Sequence, residues 1–395
     1  MRTGHYTLTG QDVQERFLGW LQHFLRLPDY SRKCTADTLW LVLCAAAARL
    51  TSIFAACQRL AEAPSDETIR QALLSTLPSY AELQKRVNRA LQGNLPKALR
   101  RRPQQLAIDL TLVPYHGQPY QHAREIYRSQ PKSGTARFHA YASAYVVCHG
   151  QRFTVALAPV EQGEKMKGVV QRLLRLAAQA GVRPRLVLLD RGFFSVDVIR
   201  YLQCARVPFL MPAVARGGKP KNKPASGIRA FQLWKKGGWG RHTLRDIKKR
   251  SATVGICVHC GNYRGRQKRR GRFAWVYAYW GFRAASTRWL ADTYRKRFGI
   301  ETSYRQLNQA RIYTCTRNPK HRFLFVALAL LLRNLWVWLH WEELSSPRRG
   351  RRELHLERCR LQHLLVILLH VAESIFGIDD LIYTERPPNN KLRAA

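Results

Sequence analysis

Acidic residues are scarce in this sequence: 25 Asp and Glu stand against 67 Lys and Arg among 395 residues, a formal charge of +42. So one-sided a balance excludes an ordinary near-neutral soluble domain and implies a polyanionic partner. Nucleic acid is the first candidate, because each neutralised phosphate releases counterions. A membrane surface, or a basic binder without catalysis, would suit the same charge, so charge alone does not choose between them.

Long apolar runs are also missing. Residues 39–48 and 323–332 are apolar but too short to span a bilayer, and the second is stopped by Arg333 and Asn334, so both are expected as buried helices and no membrane partner is expected. The opening MRTGHYTLTGQDVQERF has neither the apolar core nor the small-residue cleavage site of a secretory signal. Nine cysteines, an odd number from Cys34 to Cys359, give no disulfide framework in a chain this long and point to a reducing cytoplasm. Cys257 and Cys260 have metal-ligand spacing around His259, but no second such pair follows, and two strand residues is the plainer reading. There is no internal repeat.

What is present is enough to fold. Apolar residues make up 46%, with ten Trp and fifteen Phe, and the length exceeds one ordinary hydrophobic core, so a central domain with appended or inserted pieces is expected. Residues 1–98 read as a helical N-terminal domain, in which TSIFAACQRLAEAPSDETIRQALL, with Ser65 as an N-cap, has the layout of a helix-turn-helix that could contact DNA. Charge is uneven: residues 1–65 carry a net +2, whereas residues 211–275, an equal length, carry 18 Lys/Arg and only Asp246, a net +17. The basicity is therefore local rather than general solubility charge.

Between 105 and 211 the periodicity turns to strands: QLAIDLTLV, FHAYASAYVVC and RFTVALAPV in a meander, a helix over 164–180, then RLVLLD, a helix over 196–204, and VPFLMP. That βββαβαβ order is the layout of an RNase H-like α/β core, a mixed five-stranded sheet flanked by helices. Its first part spans 99–211 and its second 286–345, interrupted by a basic β-rich insertion over 212–285 and followed by a helical region over 346–395. A long helix is expected from Thr287 to about Gln309, an apolar helix over 323–341 and an amphipathic one near 360–376, with PRRGRR at 347–352 as a solvated loop.

Three of the scarce acids stand where they are expensive. Asp109 interrupts the first strand, Asp190 ends the fourth, and Glu301 sits on the long late helix. A buried carboxylate must be paired, hydrogen-bonded or metal-bound. Neighbouring first and fourth strands would set Asp109 beside Asp190, and two such anions need a cation between them. Hard oxygen ligands suit Mg²⁺, and two ions roughly 3.5–4 Å apart can clamp both oxygens of an in-line phosphoryl displacement. Tyr294, Arg297, Glu301, Arg305 and Asn308 recur at steps of three and four, one face of a helix, leaving Tyr294, Arg297 and Arg305 to bind phosphate; Leu290, Phe298, Ile300 and Leu307 form the stripe that packs on the sheet.

Each residue taken alone has a blander reading. Asp109 could be a strand-end aspartate and Asp190-Arg191-Gly192 a simple turn; it is the trio together that points to a site. Reading Asp109-Leu110-Thr111 as a phosphatase nucleophile fails for want of a second acid two positions on. His116, His122 and His139 read as core or solvated histidines. Arg191 is expected to pair with a carboxylate or phosphate near the site. Arg266, Lys268, Arg269 and Arg270, within RGRQKRRGR, read as a hairpin tip tracking phosphates, and Trp234 and Trp239 as buried residues with the alternative of stacking on an unpaired base.

Asp109 in IDLTLVPYHG, Asp190 in DRGF, and Tyr294, Arg297 and Glu301 in their spacing resemble the signature of insertion-sequence DDE transposases of the IS4 group, most closely its ISH3-like branch. The resemblance runs from about 105 to 340 and includes Arg317 to Pro319 and Arg333 to Trp336. It implies three carboxylates (Asp109, Asp190, Glu301) holding two Mg²⁺ ions, with Mn²⁺ able to substitute. It further implies action on double-stranded DNA, at the element's terminal inverted repeats and the target, by a homodimer in the cytoplasm on a prokaryotic nucleoid. The family pattern commonly places Lys seven positions after the Glu; here that place is Asn308, and Arg305 or Arg311 would have to take over its phosphate contact. Two other readings remain: a non-catalytic DNA-binding descendant of a transposase, and a structure-specific RNase H-like nuclease.

Overall fold

The computed structural model of the chain describes residues 7–218, 224–264, 270–349 and 351–379. Six helices come first: α1 (Gly10–Leu25), α2 (Ala36–Ala48), α3 (Ile53–Arg59), α4 (Asp66–Thr76), α5 (Tyr80–Gly93) and α6 (Lys97–Arg101). Strands β1 (Gln104–Pro114), β2 (Tyr127–Lys132), β3 (Thr135–Val146) and β4 (Thr154–Val160) precede α7 (Met166–Gln179), β5 (Pro184–Leu189), α8 (Val196–Cys204) and β6 (Phe209–Pro212). Then come α9 (Ile228–Gln232), β7 (Gly238–Arg245), β8 (Ser251–Arg264) and β9 (Arg270–Trp280). The remainder is α10 (Thr287–Arg295), α11 (Phe298–Leu307), α12 (Pro319–Glu342), the strands β10 (Ser346–Arg348) and β11 (Arg351–Glu353), and α13 (Leu361–Phe376).

The chain divides into two compact units, one of Met1–Leu77, Gln309–Thr314 and Gln362–Ala395, the other of Pro78–Asn308 and Cys315–Leu361. In the first, every early helix opens on a hydroxyl cap: Thr9, Thr35, Ser52 and Ser65 each accept the backbone N–H three residues on, which satisfies a donor the helix itself leaves free. The expected helix pair is there as α3 and α4, with Ser65 capping the second. Ile378, beyond α13, bridges back to Leu60.

The helical region expected to run to 98 is in fact split at Pro78. Helix α5 lies on the sheet of the second unit, where the buried Asn88 amide accepts the Leu157 N–H at 2.9 Å and donates to the Leu157 carbonyl at 2.9 Å, completing both backbone groups of a β4 residue.

Strand order in the large sheet is β3-β1-β5-β6-β9-β8-β7, with β2 and β4 sharing the outer edge of β3. β1 runs antiparallel to β3 and parallel to β5, and β5 parallel to β6. The five strands β4-β3-β1-β5-β6 are those expected, in an order compatible with an RNase H-like transposase fold. Two features differ from expectation. Residues 127–132 add a strand, and the insertion does not stand apart: β9 pairs antiparallel with β6 and so extends the sheet over what would be an open edge.

Alternation along β1 sorts the two faces. Leu106 and Ile108 join the core formed with α7 and α8, whereas Ala107 joins the core formed with α10 and α11, which puts Asp109 on that second side. Cys257 and Cys260, three apart on β8, fall on opposite faces for the same reason, one in each core, and so cannot share a metal. Helix α12 is long and apolar enough to cross a membrane, but 89% of its apolar window is buried within the fold. Its Asn334 accepts the Thr154 N–H at 3.0 Å and donates to the carbonyls of Thr154 at 2.8 Å and Leu91 at 3.3 Å, tying α12 to β4 and α5. The run at 347–352, expected as a loop, forms the β10–β11 hairpin.

Candidate active site

The last β1–β5 pair is Ile108 with Leu189, so Asp109 and Asp190 are the next residue on each of two adjacent parallel strands. Asp109 is paired with Ser143 across β3, and its carboxylate accepts the Leu110 N–H at 2.8 Å. Asp190 follows β5 and opens a 3₁₀ turn, Arg191–Phe193. Phe193 and Phe194 are buried in the sheet core and Ser195 caps α8, so the DRGF segment is anchored on both sides of its acid.

The third acid arrives by a helix that is not continuous. The single helix expected from Thr287 to Gln309 is interrupted between α10 and α11, where N–H groups of Lys296, Arg297, Gly299 and Ile300 each bond three residues back. This tighter turn changes the angular phase of everything after it. Tyr294, Arg297, Glu301, Arg305 and Asn308 therefore do not form one polar face: Tyr294 and Arg297 are buried, while Arg305 and Asn308 are exposed. Of the packing stripe, Leu290, Ile300 and Leu307 are buried, but Phe298 is 48% exposed.

The turn aims Arg297 at all three carboxylates. Its guanidinium lies 2.8 Å from Asp109 Oδ2, 2.7 Å from Glu301 Oε1 and 3.5 Å from Asp190 Oδ1. Arg297, expected to bind phosphate beside the carboxylate, is here engaged by the acids themselves. Tyr294 packs beside it, with the guanidinium carbon 5.5 Å from the ring centroid, and burial pushes its hydroxyl up out of the titrating range. Tyr304, absent from the sequence reading, donates to the Asp109 carbonyl at 3.0 Å and pairs with the Ser143 hydroxyl at 2.9 Å, which fastens α11 to the two strands at the acid itself. Tyr304→Phe is expected to lower stability by about 1–2 kcal/mol through those lost bonds, measured by denaturant unfolding; an unchanged midpoint would remove Tyr304 from this role.

Desolvation by burial pushes Asp109 up to about 6, with Asp190 adding repulsion, while Arg297 and the Leu110 N–H pull the other way. The consequence has a definite sign. Because the folded chain holds this proton more tightly than the unfolded one, Asp109 contributes stability below about pH 4 that is lost as pH rises through about 6. Two units correspond to about 3 kcal/mol. Stability of the metal-free protein relative to Asp109→Asn is thus expected to rise as pH is lowered from 7 to 4, and thermal melts of the pair in EDTA showing a flat difference would contradict this.

A cleft of about 470 Å³ opens beside the acids, lined by Asp190, Arg191, Trp275, Tyr277, Arg295 and Phe298 among others. Arg191 is exposed within it, and the Arg295 guanidinium lies 5.2 Å from the Trp275 ring centroid. Trp275 is the tryptophan among the residues that line the cleft. Trp239 packs on Tyr279 and Trp234 on Phe231, and neither lines it. Arg311 falls in the first unit and sits over Tyr313. Arg266, Lys268 and Arg269 lie outside the described residues, as does the Arg270 side chain; the backbone of Arg270 pairs with that of Arg264 at the ends of β9 and β8.

A family model described as the transposase DDE domain matches residues 100–335, well over half of the chain and the whole of the acidic trio. The chain belongs to the DDE transposase family. No curated protein matches it. Family membership makes it a transposase in the general sense, with DNA as its substrate; enzymes of this family generally use divalent metal ions. The site suits such ions by donor chemistry: three hard carboxylate groups from β1, the end of β5 and α11 already share one cation. As placed, they surround a guanidinium, and among the described residues no three acids or histidines form a chelating cluster.

Proposed function

We propose that this protein is an insertion-sequence transposase of the IS4 group, ISH3-like branch, which cleaves the ends of its element and joins them to target DNA. The observation that carries the proposal is the convergence of Asp109, Asp190 and Glu301 on one buried cation at the rim of an arginine-lined cleft. Asp109, Asp190 and Glu301 would hold two divalent ions, Mg²⁺ or Mn²⁺, which when bound supply charge neutralisation and an activated attacking oxygen. Arg297 keeps the carboxylates gathered until they are needed, and Tyr304 fixes the strand from which Asp109 projects. Arg191 and Arg295 face the cleft, where they can hold a scissile phosphodiester, and Trp275 gives it an aromatic wall. Phosphate contacts made from Arg305 on α11 suit the same path, Arg305 standing in for the lysine that Asn308 replaces. The basic run at 264–272 would track the duplex backbone, and a homodimer in the cytoplasm, on the nucleoid, would bridge two ends.

The test is incubation of the purified protein with a labelled duplex carrying the element's own terminal repeats, with Mg²⁺ or with EDTA, followed by scoring of cut ends and of joined products. Metal-dependent cutting at the repeat boundary with joining supports the proposal. Cutting of branched DNA irrespective of terminal sequence, with no joined product, would replace it with the nuclease reading, and tight binding with no cutting would replace it with the non-catalytic one.

A further inference from the structure

A second pocket, of about 140 Å³, lies where the turn after β3 meets α11 and α12. By liquid volume it has room for roughly four or five waters, enough for a tetrahedral oxyanion. Its lining holds Arg333, Arg152, His149 and His340, and no Asp or Glu.

Arg333 is the residue that makes this pocket unusual. It is 2% exposed, deep in α12, yet its Nε and Nη1 are given to neutral acceptors, Gln306 Oε1 at 2.9 Å and the Arg152 carbonyl at 2.8 Å. The Tyr145 ring, 5.1 Å from the guanidinium carbon, supplies a π face but no charge. The charged side chain that acts on it is another cation, Arg152, which is exposed and lines the same pocket. Burying a cation without an anion is strongly unfavourable, whereas Arg297, at the start of α11, shows what this fold does when it supplies the anions itself. Gly299 keeps the pocket close-walled: a Cβ there would stand 3.3 Å from the Tyr145 hydroxyl and 3.8 Å from Arg152 Nη1.

We propose that this pocket binds a single phosphate-class oxyanion, with Arg333 as its buried floor and Arg152 as its gate. Because Gly299, Thr302 and Gln306 of α11 line it, an anion seated there braces from behind the helix that carries Glu301. The anion can come from a DNA backbone phosphate or from free phosphate.

The experiment uses inorganic phosphate as the probe, titrated calorimetrically into the full-length protein at constant ionic strength in chloride, without metal. Saturable one-to-one binding is expected, weakened at least tenfold in Arg152→Ala, whose exposed side chain leaves the core intact; Arg333→Lys, which keeps the charge but loses the fork, is expected to weaken it as well. The titration is then repeated with a short duplex in excess. Loss of phosphate binding would assign the site to the DNA backbone, and retention would assign it to free phosphate. Absence of saturable binding, or binding indifferent to Arg152→Ala, would overturn the proposal.

Discussion

Glu301→Ala is expected to abolish metal-dependent cleavage of the element's ends, lowering the rate by more than about 10³-fold, or roughly 4 kcal/mol of barrier, while duplex binding in a mobility-shift assay stays within a few-fold of wild type. The separation follows from where the carboxylate stands. Its side chain is 42% exposed, so removing it opens no core cavity, and Arg297 keeps Asp109 as a partner at 2.8 Å. Among the described residues the Lys or Arg that pairs with Glu301 is Arg297, so the basic surface expected to hold the duplex is left in place. Asp190→Ala, also at a half-exposed side chain, is expected to behave alike. Asp109→Ala should be equally inactive but also shifted in stability, because Asp109 is the buried member of the trio. Wild-type cutting by Glu301→Ala would remove that residue from the site; equal loss of binding and cutting would mean that the substitution acts through folding instead.

How far such a site can be read from the chain depends on which physical signal each residue leaves there. Asp109 and Asp190 were legible because acids are scarce and a carboxylate within or at the end of an apolar strand has few structural excuses. Strand neighbours followed from the βββαβαβ order, which β1, β3, β4, β5 and β6 adopt. Helix continuity was not legible. Nothing in KRFGI announces that four of its five N–H groups will bond three residues back, and that one turn decides whether Arg297 faces a phosphate or the acids. Tyr304 reads as an ordinary packing residue until the Asp109 carbonyl is known to lie opposite its hydroxyl. Trp275 left a partial signal: in FAWVYAYW the aromatics Phe273, Trp275, Tyr277 and Tyr279 alternate and must share a face, but only the pairing of β9 with β6 brings that face to the acids. The partner of α5 was not legible either, since an amphipathic helix looks the same whether it covers helices or a sheet.

Arg297→Met is expected to cost about 3–5 kcal/mol in the metal-free protein at pH 7, the largest stability loss of any substitution at the site. The guanidinium is 4% exposed and holds Asp109, Glu301 and Asp190 at once, so its removal strands a buried carboxylate beside two others. Burial has already pushed Asp109 up to about 6 with the arginine present; without it the carboxyl should remain protonated to higher pH, and the deficit should shrink as the solution is acidified. Arg297→Lys is not expected to rescue fully, because an ammonium is a point charge where a planar fork now reaches three acceptors. Magnesium provides the sharper comparison. On the proposed function divalent ions would neutralise the same oxygens as the guanidinium, so added Mg²⁺ should raise the melting temperature of Arg297→Met by more than it raises that of wild type, and the two proteins should converge as the ion is increased. A variant as stable as wild type in EDTA would show that Arg297 is not the cation on which the trio depends. A deficit that Mg²⁺ leaves untouched would place the divalent ions somewhere other than at these three carboxylates.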